Sequence, residues 1–493
     1  MSFNLDKPIE SWLKDIDFPK LYKKETGIAL TEKEVHFLFY RMSRMKDISI
    51  DAEALEILQL IDTSKSNDFA FALLKVFLEN GAEAKHKWCL TLSSLLGDDK
   101  IVEALKKNAT GWIDNARPKM AEYVVNALLL NASAKALRIL EYFSRKYKTK
   151  NIGKTAALGF KSVAEYLGIS ENELSDSLIP DFNFEGLFKI FEVKGEQYRA
   201  FIDNDFKLVF LDEDNTALKT LPKGTPATLK PEFKEISKEI KEIVKAQTPK
   251  LESSLVSQRF WSSEDWQELF LQNPIMFVYA VRLIWGVFDE KNKLQNTFAV
   301  QEDQTIIEAA GDEISLEENS KIGIIHPLSL TDEILNHWKN YLLDAALTPL
   351  FPQLERKIFE LKTADKSLKI SKNYTGVKVN AFTFIGTLDK KGWSRGSVVD
   401  AGVIDSYYKK FPEAGITAII EQIGALSVSY FENPAELGDL IFIKNDVKKF
   451  SNQLYNEPNN ENDPRLIPFS ELPPIIYSEV ISDLEILKTS ATV

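Results

Sequence analysis

Between Thr31 and Gly168 the apolar residues return every three or four positions in segment after segment, which restricts this part of the chain to packed helices. Each such helix has one apolar stripe and needs a neighbour to cover it. Thr31 and Glu34 form a capping-box pair ahead of VHFLFYRMSRM. DFAFALLKVFLEN and AKHKWCLTLSSLL run to Gly81 and Gly97, and IGKTAALGFKSVAEYL runs to Gly168. Glycine supplies the left-handed residue that ends a helix. Between them lie DDKIVEALKKN, PKMAEYVVNALLL and SAKALRILEYFSRKY. Helix pairs begin about 30–36 residues apart, the spacing of HEAT- or armadillo-like repeats, so residues 1–180 read as a helical-repeat domain. An irregular bundle is the other packing open to them.

At about residue 180 the period changes. LFKIFEV, QYRAFID and FKLVFLD are separated by turn residues and read as a small β-meander, which with its linker fills 181–230. Pro231 opens a helix with the seam Phe233, Ile236, Ile240 and Ile243. Helices continue through SSEDWQELFLQ and PIMFVYAVRLIWGVF, strands and acidic turns follow, and Thr331 caps TDEILNHWKNYLLDAAL, all within 231–375. Residues 376–493 form an α/β C-terminal region of strands and short helices, in which NQLYNEPNNENDPRL reads as a surface loop. The expected fold class is mainly α with an α+β C-terminal region.

A formal net charge of −12, from 61 Lys+Arg against 73 Asp+Glu, repels phosphate and disfavours nucleic acid as a partner. The local exception is a basic loop holding Arg145, Lys146, Lys148, Lys150 and Lys154. The single cysteine, Cys89, excludes an internal disulfide and a thiolate-rich metal site, and its apolar helix points to a buried thiol. With no secretory leader in MSFNLDKPIESWLKDIDF, the expected location is cytoplasmic. The most apolar run, Ile275 to Phe288, is about fourteen residues and contains Arg282, too short to span a membrane.

Gly153, Lys154 and Thr155 lack the earlier glycine of a phosphate-binding loop, and no dinucleotide fingerprint follows a strand. The histidines, His36, His86, His326 and His337, have no recognised ligand spacing. His326 and His337 flank a strand-to-helix turn; either they act as a pair, or His326 sets the turn before Pro327 while His337 lies on a helix face. No catalytic constellation, cofactor or metal is expected. The residues that stand out are aromatic or planar and polar. Tryptophan at helical spacing is core material, yet Trp and Arg also dominate interface hot spots. Arg259, Trp261, Trp285, His326, Gln353, Arg356, Trp393 and Arg395 are the candidate interaction or ligand surface.

RFWSSEDWQELFLQNPIM, RLIWGVFD, TFAVQEDQTI, GIIHPLSL, HWKNYLLD, PLFPQLERKIF, KKGWSRGSVVD and YSEVISDLEIL occur in that order. This series resembles the bacterial domain of unknown function 4132 family, over roughly residues 130–490. The family includes proteins labelled molybdate metabolism regulators, and some relatives begin with a WGR domain. Here Trp285 and Gly286 are followed by Val287, and no Trp-Gly-Arg signature occurs. The resemblance implies helical repeats followed by an α+β region and leaves the activity undefined. The leading expectation is a non-catalytic protein-interaction, scaffold or regulatory module whose partner is another protein. The alternative is an enzyme or small-ligand (anion) binder built around His326, Arg356 and Trp393. The third is nucleic-acid binding through the 145–154 loop.

Overall fold

The structure, a computed structural model, describes residues 5–148, 150–396, 403–427, 434–444 and 461–491. Residues 452–460 of the asparagine-rich stretch and residues 397–400 of KKGWSRGSVVD lie outside the described residues. The chain divides into two compact units, Met1–Pro180 and Asp181–Val493.

The first unit contains α1 (Glu32–Ser43), α2 (Ala52–Leu58), α3 (Asn67–Glu79), α4 (Trp88–Leu96) and α5 (Asp99–Asp114), followed by α6 (Pro118–Asn131), α7 (Ala134–Lys146), α8 (Asn151–Leu167) and α9 (Glu171–Ser177). The capping box forms as the sequence implies: the Thr31 hydroxyl accepts the Glu34 N–H, and the Glu34 carboxylate accepts the Thr31 N–H. Neighbours pack in series, α3 on α4, α4 and α5 on α6, then α6 and α7 on α8. Phe37, Phe69, Phe77, Leu105, Val124, Leu140 and Phe143 fill the core between them. Gly168 takes the expected left-handed cap conformation at φ 72°. Gly97 does not: its φ is −100° and its backbone is extended. It is needed for space, because a Cβ there would stand 2.4 Å from Ile101.

The second unit starts with a four-stranded antiparallel meander, one strand more than expected: β1 (Lys189–Val193), β2 (Glu196–Ile202), β3 (Leu208–Leu211) and β4 (Ala217–Leu218). Phe191 and Phe210 each meet Phe233 of α10 (Leu229–Ser257) edge-on at 5.0 Å. That helix extends beyond the segment read from Pro231. Pro231 falls in its first turn, where the missing N–H costs little, and the helix continues past Pro249 because its buried stripe continues through Leu251 and Leu255.

Next come β5 (Phe260–Ser262), α11 (Ser263–Gln267), a π-helical turn at Glu268–Gln272, and α12 (Pro274–Arg282). The sequence reading carried a helix through Trp285. In the structure α12 ends at Arg282, and Trp285–Phe288 is the strand β6. The short apolar run has no periodic bias, and pairing on both sides decides its form. β7 (Leu294–Val300) and β9 (Lys321–Ile324) flank β6, and β8 (Ile306–Glu308) completes the antiparallel sheet β5-β9-β6-β7-β8. Thr331 caps α13 (Asp332–Asp344).

The last sheet comprises β10 (Ile370–Ser371), β11 (Lys378–Val379), β12 (Ser394–Arg395), β13 (Val403–Phe411), β14 (Ile416–Ser427) and β15 (Ala435–Lys444). Its order is β10-β15-β14-β13-β12, with β11 also pairing β15. α14 (Ala381–Lys390) and α15 (Pro474–Thr489) share a core with it that includes Phe384, Leu388, Trp393, Tyr407, Phe442 and Val480.

Two helical glycines in the first unit make opposite predictions. A Cβ on Gly153 would stand 2.1 Å from the Tyr147 carbonyl oxygen, whereas one on Gly111 would meet nothing within 4 Å. Alanine is worth about 1 kcal/mol over glycine in a helix, and overpacking costs about 1–3 kcal/mol. In urea denaturation followed by circular dichroism, Gly111→Ala should stabilise the protein and Gly153→Ala should destabilise it. Equal gains from both would show that the Tyr147 carbonyl does not press on α8.

Candidate functional site

Helix α15 has the sequence PIIYSEVISDLEILKT, and most of its residues are buried. Glu479 and Asp483 lie four apart on one face of it, only 3% and 2% exposed. A carboxylate removed from water must be paired, or it neutralises or unfolds the site. Both are paired. Arg356 donates from Nε and NH2 to the two oxygens of Glu479, each at 2.8 Å, in the bidentate geometry that suits a guanidinium. Its NH1 donates to the Pro352 carbonyl at 2.7 Å and to Glu252 of α10 at 3.1 Å. Four hydrogen bonds thus go to groups of the chain itself.

His326 ends the β9 segment and is fully buried. Its Nδ1 accepts the Leu328 N–H at 3.1 Å, fixing the turn at Pro327. The ring proton therefore sits on Nε2, which donates to Glu479 Oε1 at 3.2 Å. Gln353 donates to the carbonyls of Ile284 and Ile325 at 2.7 and 3.0 Å and accepts the Ile284 N–H at 3.0 Å. Its amide ties the start of β6 to the end of β9. One turn along α15, Asp483 accepts from Trp393 Nε1 and Lys409 Nζ, both at 2.9 Å.

Burial pulls the Glu479 carboxyl upward, but its bonds from Arg356 and His326, with the Arg356 charge, overcome this and hold it far below the usual carboxylate range. Burial opposes the charge on Arg356 as well, and there too the bonds and charge of Glu479, aided by Glu252, win and raise its value. Each partner keeps the other ionised.

The structure brings His326, Arg356 and Trp393 to the carboxylates of α15, while Gln353 binds the backbone just before β6 and just after β9. Trp285, on β6 beside Ile284, donates its indole N–H to the Ala280 carbonyl at 3.0 Å. Trp261 packs edge-on against Trp285 at 6.2 Å, with Arg259 over its face at 4.6 Å. Arg395 lies apart, half-buried on β12, 3.8 Å from Asp389. The tryptophans at 261, 285 and 393 are buried and serve as core. His337 is exposed on α13, its ring against Trp338, while His326 is turned to Glu479.

The decisive residues that the sequence reading missed are Glu252, Lys409, Glu479 and Asp483. A faint signal for the last two was present: acids four apart among the apolar residues of PIIYSEVISDLEIL. In the first unit, Arg145, Lys146, Lys148, Lys150 and Lys154 are all exposed. Cys89 is buried, and burial pushes its thiol well above the usual range, away from reactivity. Among the described residues no group of three or more His, Cys, Asp and Glu is placed to hold a metal, and no helix is long and apolar enough to cross a membrane.

The protein is thus of mixed α+β class, helical in its first unit and built on antiparallel sheets in its second, with a buried ionic centre closed by its last described helix. Residues 216–393 match the family described as Domain of unknown function (DUF4132). The match takes in Glu252, His326, Gln353, Arg356 and Trp393 but stops short of Lys409 and α15. Over 339 residues, 66% of the chain, it is 28% identical to a protein of Escherichia coli (strain K12) described as "Uncharacterized protein YehI". The chain spans 28% of that relative's length. No solved structure matches.

Breaking one side of a buried ion pair costs about 3–5 kcal/mol, so Glu479→Gln should lower unfolding free energy by about that amount. The pH dependence carries a second signature. A carboxyl depressed in the folded state contributes stability that is complete above the ordinary glutamate value of about 4.3 and is lost as pH falls toward the folded value. Below about pH 4.3 the wild type should therefore lose stability faster than Glu479→Gln, by about 1.4 kcal/mol per pH unit. Parallel curves from urea titrations across this range would contradict the pairing.

Proposed function

We propose that this chain is a non-catalytic interaction module, a scaffold or regulatory protein of the cytoplasm whose partner is another protein. The observation that carries the reading is the closure of the buried polar centre on itself. His326, Gln353, Arg356 and Trp393 are the groups that a substrate or anion would need, and each has its polar atoms engaged by the chain. A fully satisfied network fixes one packing of its elements rather than waiting for a ligand. Stacked helices of the HEAT kind, the reading proposed for the first unit, expose long surfaces suited to binding proteins.

The test is isolation of the full chain from its own host in moderate salt, followed by reconstitution from purified components. The reading expects a defined protein that rebinds at fixed stoichiometry, and binding that survives exchange of the chain into fresh buffer. A chain that stays alone, yet gains thermal stability from a small anion in a manner abolished by Arg356→Ala, would contradict it and favour a ligand site.

A further inference from the structure

We propose that the strip formed by α5, the end of α7 and the start of α8 binds the phosphate backbone of duplex DNA. The first observation is charge segregation. From Arg145 to Lys154 the chain carries five Lys+Arg and no Asp or Glu, within a protein whose net charge is −12. Sequence-wide charge hides this reversal. Clustered cations raise the local concentration of a polyanion even where the molecule as a whole is acidic.

The second observation is geometric. Lys106 of α5 and Lys146 of α7 each place Nζ 5.3 Å from the centroid of the Tyr142 ring. Lys146 also lies 5.1 Å from the Tyr147 ring, and Lys150 lies 5.6 Å from it. Two rings therefore join three ammonium groups from α5, α7 and the entry to α8 into one continuous strip. Glu103 offsets part of the charge of Lys106 at 3.5 Å. Lys148 and Lys154, both exposed, extend the strip beyond the rings.

The third observation is where the strip ends. Helix α8 begins with Lys150 as its N-cap, no side-chain cap, no acidic residue in its first turn, and Lys154 just inside. A helix start already carries partial positive charge, so lysines there oppose the dipole and lower stability while no anion is near. An approaching phosphate relieves both the dipole and the lysines.

The occupant follows from the same groups. The tyrosine faces are taken by the protein's own ammonium groups, and Tyr147 is buried, so no ring is presented to an unstacked base. That argues against a single strand and for a duplex read through its regularly spaced phosphates. Lysine is a point charge that contacts phosphate without reading bases, so the binding is expected to be independent of sequence. This inference is independent of the protein-partner reading above.

The experiment uses the full chain and a fluorescent DNA duplex of arbitrary sequence, about 25 base pairs long, with anisotropy measured across a salt series. The variant Lys148→Glu/Lys150→Glu/Lys154→Glu reverses three exposed charges, and circular dichroism verifies its fold. Lys230→Glu/Lys234→Glu/Lys241→Glu, equally exposed on α10, is the control. The wild type should bind with a steep salt dependence and the control should match it. The strip variant should lose about tenfold or more in affinity and about 2–3 units of log–log salt slope. Absence of binding by the wild type at low salt would overturn the proposal, as would equal losses in both variants. Tighter binding of duplex RNA or of polyglutamate than of the DNA would overturn the choice of partner.

Discussion

The pairing of Arg356 with Glu479 joins parts of the second unit that lie far apart in sequence. Its members are 123 residues apart, and through them α15 is tied to the segment between α13 and β10, to α10 by Glu252, and to the end of β9 by His326. Burying both charges is costly, and the cost is offset only when every donor and acceptor finds its place. The bidentate geometry, the imidazole fixed from its other side by Leu328, and the second carboxylate on Arg356 meet that demand. Asp483 repeats the device one turn along the helix, drawing in Lys409 of β13 and Trp393 just ahead of β12. A helix with most of its residues buried could slide or rotate within a core. Two paired carboxylates fix its register.

The first unit was the more legible in sequence. Its helices carry their own start and stop signals, and local periodicity decides them: Thr31 and Glu34 box α1, and Gly168 ends α8. Gly97 shows the limit even there, since it serves Ile101's packing rather than a left-handed turn. In the second unit, contacts distant in sequence override local pattern. LIWGVF follows α12 without a proline, and Trp285–Phe288 becomes strand because β7 and β9 claim its backbone from either side. Of the candidate residues, His326, Arg356 and Trp393 meet carboxylates of α15. Their partners were harder to read, because a carboxylate becomes informative only once its burial is known; among 73 acidic residues Glu479 and Asp483 are marked only by a four-residue spacing amid apolar neighbours.

Charge is the property that most separates what lies inside from what lies outside. The interior ion pairs neutralise one another and present little to a partner. The surface is acidic on the whole and basic along one strip of the first unit. The matched region ends at residue 393, before the helix that closes the ionic centre, so the folded unit is larger than the match.

The central claim is that the buried ionic centre exists to hold this fold, and a double-mutant cycle on Arg356 and Glu479 tests it most directly. Methionine at each position, singly and together, removes the charges while retaining length, and urea denaturation reports the stabilities. The account predicts that each single change is severely destabilising and that the double change costs less than their sum by about 2 kcal/mol or more, since it leaves no charge stranded. Additive losses, agreeing within about 0.5 kcal/mol, would contradict it.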